Sequence, residues 1–463
     1  MPNTTAKRKV LLIGLDSAPP ELLYRFLDRM PTVKRLVENG LSARMESCNP
    51  PITVPAWMVM MTGLDPGRLG LYGFRHRRVG SYSTHYLVNS NMIGEPTVWD
   101  IIAKNGMKSC LIGVPPSYPV KPISGNLISC FLTPSTGKEF TYPKELKNEV
   151  SQVIGEYEFD VTFRTDDRDA ILESIRRMTK KRFDLINYLA ERKDWEFFMF
   201  VEIGLDRIHH TFWKFFDRTH HKFESGNKFE NVVEEYYIML DERIGDLIKR
   251  CDDDTIVVIA SDHGSKAMKG AFCINEWLIQ EGYLTLESEP EGIVDIEKAQ
   301  IDWSKTKAWA WGGYYARIFF NLTGREALGV VEKEDIDSLS REIKSKLMNL
   351  VDQDNRPMRN KVFTPDELYQ RVEGDSPDLM VYLDELNWRA AGTIGHGALY
   401  LDENDTGPDD SVHSMDGIFI LYDPMKSIRM DLGTISIMDV APTLLRIFEI
   451  PIPQDMTGRV IDV

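Results

Sequence analysis

The sequence predicts an α/β fold in which a largely parallel central β-sheet is sandwiched between helices. Short, nearly continuous apolar runs recur along the chain, and segments with helical periodicity alternate with them. Strands that are apolar at almost every position are typical of parallel sheets, because crossover helices cover both faces of such a sheet. In sheets of this kind the ligand-binding crevice lies beyond the carboxyl ends of the strands.

The predicted elements follow one another in β–α order. The first strand, VLLIGL at residues 10–15, precedes a helix predicted for residues 19–27. Further strands are predicted at residues 108–114, 197–203, 255–260, 379–383 and 417–421. Further helices are predicted at residues 98–104 and 436–448, the second of which contains DVAPTLL.

Two regions interrupt this order and are predicted to be insertions. Residues 119–195 begin with a section rich in Pro, Gly and Ser and continue with a helix over residues 168–192 that has one apolar stripe. Residues 281–375 contain a charged helix near residues 333–350 and the strand-like segment GGYYARIFFNL. Each insertion is interpreted either as a cap that shapes substrate access or as a peripheral packing region. The catalytic core is then divided into residues 7–118, 196–280 and 376–463.

Composition restricts the partners and the compartment. The net charge of −16 disfavours binding to a nucleic-acid polymer or an anionic membrane, whereas bound cations would still allow a small anionic substrate. The five cysteines are scattered and never in CxxC spacing, which fits a reducing compartment. No segment has the roughly 18 apolar residues that span a bilayer, and the first apolar run is too short for a signal peptide. We therefore expect a soluble, cytoplasmic protein.

Seven side chains that can bind metal lie where predicted strands meet loops. Three carboxylates, three imidazoles and one hydroxyl make a site for two divalent cations, and such sites most often serve phosphoryl chemistry. Without thiolate ligands the set suits Zn²⁺ best, with Mn²⁺ or Fe²⁺ as alternatives. The residues are Asp16, Thr53, Asp206, His210, Asp262, His263 and His413.

Local spacing supports two pairs within this set. Asp206 and His210 are four residues apart at the start of a predicted helix, so both side chains lie on one face. The neighbouring His209 points about 100° away round the helix, and a capping Asp with a surface His is the alternative interpretation. Asp262 and His263 leave a strand directly before a glycine, which lets the backbone come close to the crevice.

Thr53 is the candidate nucleophile. Pro55 suits the first turn of a helix, so Thr53 would lie at a helix N-terminus, where free N–H groups favour negative charge. A hydroxyl there, in contact with a dication, can ionise and attack phosphorus, although a plain helix cap is the alternative.

Asp16 and His413 are each ambiguous when considered alone. His396 is a rival imidazole that could contact substrate or cap a loop.

The order of these motifs resembles the alkaline phosphatase superfamily, and most closely its type I phosphodiesterase/nucleotide pyrophosphatase branch, with its predicted phosphohydrolase/phosphomutase members. The motifs are Asp16, Thr53-x-Pro55, Asp206-x-x-x-His210, Asp262-His263-Gly264 and His413. The segments GLDSAPPELL, PPITVPAW, MTGLDPGRLGLYGF, ASDHGS, INEWLIQEGYL and DVAPTLL extend the resemblance nearly from end to end.

The resemblance implies an alkaline-phosphatase-like fold, two metal ions and a covalent phosphothreonine intermediate. It implies that Asp206, His210 and His413 hold one ion. Asp16, Asp262, His263 and Thr53 would hold the other. The expected activity is hydrolysis of a small phosphate ester, with diesters first. The alternatives are a phosphomutase or phosphomonoesterase acting on a sugar or small-acid phosphate, and a binding module that has lost activity.

One position departs from the family. Nucleotide pyrophosphatases place an asparagine about twenty residues after the nucleophile, and Phe74 stands there in this chain, followed by Arg75. Specificity for nucleotide diesters is therefore in doubt. Arg75 is a candidate substrate-binding residue, because a guanidinium group can donate two parallel hydrogen bonds to a phosphoryl group. The alternative is that Arg75 is only a surface arginine. His396 is a second candidate for contact with the substrate. Sulfatases, another branch of the superfamily, build their nucleophile from a Cys-x-Pro-x-Arg signature. The segment that begins at Cys48 lacks that arginine, so the sulfatase branch is set aside.

Overall fold

The computed structural model describes residues 8–426 and 428–462. In chain order its strands are β1 Val10–Leu15, β2 Leu41–Glu46, β3 Arg75–Arg77, β4 His85–Leu87, β5 Ser109–Ile112, β6 Gly125–Ile128, β7 Thr141–Tyr142, β8 Phe197–Glu202, β9 Ile256–Ala260, β10 Gly264–Ala267, β11 Ala271–Cys273, β12 Ala308–Trp311, β13 Ala316–Phe320, β14 Lys361–Phe363, β15 Leu379–Tyr382, β16 Arg389–Ala391, β17 Tyr400–Leu401, β18 Ser411–Ser414, β19 Asp416–Tyr422 and β20 Met430–Ser436.

The α-helices alternate with these strands over most of the chain. They are α1 Pro20–Phe26, α2 Pro31–Glu38, α3 Thr53–Thr62, α4 Pro66–Leu69, α5 Val98–Lys104, α6 Leu146–Ile154, α7 Arg168–Arg192, α8 Gly204–Phe216, α9 Val232–Ile248, α10 Ile274–Gln280, α11 Ile336–Met348, α12 Pro365–Leu368 and α13 Val440–Ile447.

The central sheet has the strand order β20-β2-β19-β9-β1-β8-β5-β6-β7. Its middle part, β9-β1-β8-β5-β6, is parallel throughout, and β19 joins it antiparallel to β9. The carboxyl ends of β1, β8 and β9 therefore lie side by side at one edge of the sheet. This is the edge at which the predicted site residues follow their strands.

Two hydrophobic cores cover the two faces of this sheet. Along β1, Leu11 and Ile13 belong to one core, whereas Val10 and Leu12 belong to the other. The first core is closed by α1, α2, α7, α8 and α9, and the second by α3, α5 and α13. Burial on both faces is the physical reason why β1 is apolar along its whole length.

A smaller sheet, β12-β13-β15-β14, packs around a third hydrophobic core. It is formed largely by the second predicted insertion, and its strand pairs are antiparallel. The strand β15, expected from the sequence as part of the return to the core, pairs here with β13 and β14 instead. The sequence of a buried apolar strand does not specify which sheet it joins, because the interiors of the central sheet and of the smaller sheet favour the same apolar residues.

The other elements that were predicted agree with the structure to within a few residues. Helices α5 and α7 begin and end as predicted, and α11 and α13 are shorter than predicted because a 3₁₀ turn precedes each of them. All five cysteines are unpaired. Among the described residues, no helix combines the length and the apolar character that crossing a bilayer requires.

Candidate metal centre

The seven predicted metal-binding side chains meet at the carboxyl edge of the central sheet. Asp16 follows β1 directly, and Asp206 lies in the first turn of α8, just after β8. Asp262 and His263 link β9 to β10, and Thr53 is the first residue of α3. Each of the seven side chains is at most 3% exposed. The sequence-predicted constellation is thus brought together inside the protein.

The close approach of β10 and β18 places the two distant imidazoles together. His413, expected before a strand, lies within β18 opposite Ser265 of β10. Gly264 starts β10, and a Cβ atom there would lie 2.2 Å from the carbonyl oxygen of Asp416. Glycine is therefore required at the start of β10 for its close packing against Asp416, the first residue of β19. The rings of His263 and His413 stack with their centroids 3.8 Å apart.

One group of possible ligands consists of Asp206, His210 and His413. The Oδ1 atom of Asp206 lies 3.2 Å from Nε2 of His210 and 3.9 Å from Nε2 of His413. The ligand atoms of the group all lie within 4.8 Å of one another, which is a spacing that one ion can bridge. This is the set that the resemblance assigned to the first ion.

A second group consists of Asp16, Asp206 and His263. Oδ1 of Asp16 lies 3.9 Å from Nε2 of His263, and Oδ2 of Asp262 lies 3.1 Å from the same nitrogen. The hydroxyl of Thr53 is also close, with its Oγ1 atom 3.3 Å from that Nε2. Asp206 belongs to both groups, whereas the resemblance implied that it holds one ion only.

All three imidazoles turn the same nitrogen toward the centre. Nδ1 of His210 lies 2.7 Å from Oδ1 of Asp409. Nδ1 of His263 lies 3.0 Å from the carbonyl oxygen of Gly264, and Nδ1 of His413 lies 2.8 Å from that of Pro51. Carbonyl and carboxylate oxygens only accept hydrogen bonds, so each Nδ1 carries the proton. Each Nε2 therefore faces the centre, an orientation typical of metal-bound histidines.

The carboxylates leave oxygen atoms without any partner at the same place. Oδ1 of Asp16, Oδ1 of Asp206 and Oδ2 of Asp262 are buried and accept no hydrogen bond from the described residues. Their other oxygens are occupied, since Trp57 donates to Asp16, Arg207 to Asp206 and the Ser17 amide to Asp262. Buried anionic oxygens without partners are costly, and a divalent cation satisfies all three. The donor set therefore fits metal ions.

Electrostatics indicates the same need for positive charge. Burial and the Asp206 carboxylate raise the pKa of Asp16 well above its usual range, and burial and Asp16 do the same to the pKa of Asp262. Burial also opposes ionisation of Asp206, but the charges of His210 and Arg207 hold the pKa of Asp206 well below its usual range. Burial lowers the pKa of His263 to about 4. A neutral His263 beside two aspartates, Asp16 and Asp262, that resist ionisation is the arrangement expected where a cation supplies the missing positive charge.

Local backbone geometry holds Asp16 and Thr53 in place. A Cβ atom on Gly14 would lie 2.5 Å from the Trp57 ring, so glycine in β1 leaves room for the indole that bonds Asp16. Ser17 has φ 69°, a left-handed conformation that is uncommon outside glycine, and its amide donates to Asp262 over 3.1 Å. Thr53, expected just before the helix, is its first residue and lies at the free N–H groups of α3.

Four further residues contact the predicted side chains and were not predicted from the sequence: Trp57, Arg207, Tyr314 and Asp409. Arg207 adjoins the predicted Asp206, and Asp409 lies four residues before His413, so proximity to the motifs was their only signal. The hydroxyl of Tyr314 lies 3.1 Å from Nε2 of His210, and its ring stacks on His413 at 3.6 Å. Nothing in the surrounding GGYYAR segment indicated that contact, because the insertion brings it from elsewhere in the fold.

A cavity of about 470 Å³ adjoins the centre. Its lining includes three residues that are next to the predicted site residues or bonded to them. Ile52 precedes Thr53 in the chain, Arg207 donates to Asp206, and the Tyr314 hydroxyl is hydrogen-bonded to His210. Phe163 and Arg164 come from the first predicted insertion, and residues 311–315 together with Arg317 come from the second. Both insertions therefore form walls of the cavity beside the centre.

The two candidate substrate-binding residues occupy different places. Arg75 lines the cavity with an exposed side chain, and the neighbouring Phe74, at the position of the family's asparagine, lines it as well. His396 lies behind Thr393, which lines the cavity, and the His396 Nε2 atom is 2.7 Å from the Thr393 hydroxyl. His209 turns away from the centre, and its Nε2 atom lies 3.3 Å from the Tyr237 hydroxyl.

Known proteins resemble this chain in sequence pattern and in fold. The sequence model of the type I phosphodiesterase / nucleotide pyrophosphatase family matches residues 10–409. Among solved structures, human ectonucleotide pyrophosphatase / phosphodiesterase 5 has a TM-score of 0.56 at 12% identity, covering 96% of this chain and 96% of that chain. A search of curated proteins gave no match. The structural likeness confirms the predicted alkaline-phosphatase-like α/β fold.

Proposed function

The chain belongs to the type I phosphodiesterase/nucleotide pyrophosphatase family and is a phosphoric ester hydrolase, and we propose that it depends on two divalent metal ions and uses Thr53 as its nucleophile. Asp206, His210 and His413 would hold one ion. Asp16, Asp262, His263 and Thr53 would hold the other, with Asp206 beside both groups. Zn²⁺ is the metal that the nitrogen and oxygen donors suit best, and Mn²⁺ or Fe²⁺ are alternatives.

The observation that carries this proposal is the set of three partnerless carboxylate oxygens on Asp16, Asp206 and Asp262. They face three Nε2 atoms whose rings are already fixed through Nδ1. A protein that used these aspartates only for structure would pair the oxygens with N–H groups, as it does for the other oxygen of each.

The role of Thr53 is supported by its position at the N-terminus of α3. Its hydroxyl is 3% exposed and lies 3.3 Å from Nε2 of His263. The free N–H groups of the first helical turn and the helix dipole favour an anionic oxygen or a phosphoryl group at this point. In-line attack of Oγ1 on phosphorus would form a phosphothreonine and expel the alcohol, and water would then release phosphate or a monoester.

Bound divalent cations would supply charge neutralisation for the phosphoryl oxygens and favour ionisation of the Thr53 hydroxyl. The chain's own residues hold the geometry. Trp57 positions Asp16 through a hydrogen bond of 2.9 Å, and Asp409 positions His210. Burial of all seven side chains keeps bulk water from competing for the ligand positions.

The test is metal reconstitution followed by a comparison of two substrates. The protein is stripped with a chelator, reloaded with Zn²⁺ or Mn²⁺, and assayed with bis-(4-nitrophenyl) phosphate and with 4-nitrophenyl phosphate. We expect about two equivalents of metal, turnover only after reloading, and faster cleavage of the diester. Faster cleavage of the monoester would favour the phosphomonoesterase alternative. Less than one bound equivalent of either metal would contradict the proposal.

A further inference from the structure

The cavity beside the metal centre is lined by an unusual number of arginines. They are Arg75, Arg164, Arg207, Arg317 and Arg389. Three of them have carboxylate partners within the protein: Arg207 bonds Asp160 and Asp206, and both Arg164 and Arg389 contact Asp409. Their charges are therefore largely neutralised before any ligand binds.

Arg317 differs from these three. Its side chain is 8% exposed, yet no carboxylate of the described residues lies within ion-pairing distance of its guanidinium. Its hydrogen bonds go to two carbonyl oxygens, that of Arg75 at 2.6 Å and that of Gly312 at 3.5 Å. Its Nε atom is buried and has no partner. Of five N–H groups, only two therefore have acceptors.

A buried guanidinium without a counter-ion is costly, and burial lowers the pKa of Arg317 from its usual value. The indole of Trp311, with its ring centroid 5.3 Å away, adds a weaker attraction. Arg75 adds a second positive charge on the same wall, with an exposed side chain that has no ion pair among the described residues. Two arginines of this wall, Arg317 and Arg75, therefore have no carboxylate partner among the described residues.

We propose that this cavity binds the part of the substrate remote from the scissile phosphate, and that Arg317, assisted by Arg75, recognises a second oxyanion there, a carboxylate or a phosphate. This proposal rests on the proposed function for the position of the scissile group. The substrate class is then a phosphate ester with two anionic ends. A bidentate guanidinium contact to an oxyanion explains why an arginine occupies the position.

The cavity has the size and the position that this class requires. Its volume of about 470 Å³ fits a small organic ester. Ile52, on its wall, directly precedes the nucleophile, and Tyr314 extends from its wall to His210. A molecule in the cavity can therefore reach the centre with one end while its other end contacts Arg317.

One acidic residue of the wall also faces Arg317. Glu297 lines the cavity and is half-buried, and its charge reaches Arg317 without a direct ion pair. If Glu297 competes with a ligand anion, then its neutralisation strengthens anion binding. We therefore expect Glu297→Gln to increase the preference for an anionic over a neutral substrate, whereas Arg317→Gln should decrease it. Asp295, also on the wall, is already paired with Lys298 at 2.6 Å.

The first arm of the test measures turnover by the full-length, Mn²⁺-loaded protein. The substrates are 4-nitrophenyl alkyl phosphodiesters whose alkyl arm ends in a methyl, a carboxylate or a phosphate group, in several matched lengths. The measured quantity is the ratio of kcat/KM for the anionic ester to that for the neutral ester. We expect a ratio of about 10 or more at one arm length, since a charge-assisted hydrogen bond supplies that discrimination. The carboxylate and phosphate arms identify which oxyanion the cavity takes.

Five variants make this arm specific. Arg317→Gln should bring the ratio close to 1, and Arg317→Lys should retain part of it. Arg75→Gln removes an exposed side chain and should lower the ratio less, which keeps the proposal testable if Arg317→Gln fails to fold. Glu297→Gln should raise the ratio. Arg78→Gln, an exposed arginine next to β3 that does not line the cavity, is the matched control and should leave the ratio as in the wild type.

The second arm measures binding without turnover. Calorimetry compares an alkane bisphosphonate with the alkyl monophosphonate of equal length, neither of which can be hydrolysed. We expect tighter binding of the bisphosphonate, dependent on Arg317. Equal binding of both, or a preference that survives Arg317→Gln, would overturn the proposal even where ester turnover is normal. Absence of turnover with an Arg317-dependent binding preference would overturn the proposed function and support the anion site.

Discussion

Asp409 and His210 are joined by a hydrogen bond of 2.7 Å, although 199 residues separate them in the chain. Burial opposes ionisation of Asp409, but the charges of His210 and Arg389 lower the pKa of Asp409 to about 2. The carboxylate therefore stays ionised at neutral pH and accepts a hydrogen bond from the Nδ1–H group of His210. This contact fixes the ring so that Nε2 faces Asp206, and it makes Asp409 a positioning residue for the candidate metal centre.

Replacing Asp409 by Asn should weaken metal binding. An amide can present its nitrogen to Nδ1 and loses the charge that holds the ring, so affinity for Zn²⁺ should fall about 10- to 100-fold. Competition with a fluorescent chelator measures this loss. Asp402→Asn, which changes an exposed carboxylate in the same loop, is the control and should retain wild-type affinity. Equal affinities in the two variants would show that Asp409 does not position His210.

Thr53→Ala should separate chemistry from metal binding. Removal of the hydroxyl should lower turnover of bis-(4-nitrophenyl) phosphate at least ~10³-fold, because the attacking oxygen is lost. Metal content should remain near the wild-type value, since Asp16, Asp262 and His263 keep their donors. Thr53→Ser, which retains the hydroxyl, should keep measurable activity. Wild-type rates in Thr53→Ala would exclude this residue as the nucleophile.

Asp262→Asn should have opposite effects on stability with and without metal. In the metal-free protein a neutral amide replaces a carboxyl group whose ionisation burial and Asp16 already oppose, and the Asn oxygen still accepts from the Ser17 amide, so the melting temperature should hold or rise. In the presence of Zn²⁺ the wild type should gain several degrees by ligand linkage, and the variant should gain much less. Thermal melting with EDTA and with Zn²⁺ tests both halves. Equal metal-induced shifts in the two proteins would count against Asp262 as a ligand.

Metal binding should release protons at neutral pH. Burial, together with neighbouring carboxylates, raises the pKa of Asp16 and of Asp262 well above the usual range, so the metal-free centre holds protons that a cation displaces. The apparent affinity for the divalent metal ion should therefore rise as the pH rises through the elevated pKa values of Asp16 and Asp262. It should fall as the solution is acidified. Calorimetry at pH 7 in two buffers of different ionisation enthalpy reports the number of protons released. Identical enthalpies in the two buffers would contradict the expectation.

Several parts of the centre could be predicted from local sequence. The four-residue spacing of Asp206 and His210 puts both on one face of α8 whatever the rest of the fold does. The adjacency of Asp262, His263 and Gly264 at the end of β9 likewise depends on a few bonds. These predictions succeeded in position because helix periodicity and strand ends are local properties.

Other parts depended on contacts that no short segment contains. Asp409 reaches His210, and Tyr314 stacks on His413, only because β18 pairs with β10 and the second insertion packs over the sheet edge. The membership of β15 in the smaller sheet has the same origin. A pairing between distant strands is decided by the packing of the whole chain, and residue type at either strand does not specify it.

The amino-acid order determined the fold class, the nucleophile candidate and the candidate metal-binding side chains, because these follow from periodicity and from the chemistry of each residue. Folding decided which oxygen and nitrogen atoms face one another, that the buried Arg317 has no carboxylate partner among the described residues, and how the two predicted insertions line the cavity. Those properties are set by distances of a few ångströms between segments hundreds of residues apart. Such distances exist only once both hydrophobic faces of the central sheet are covered.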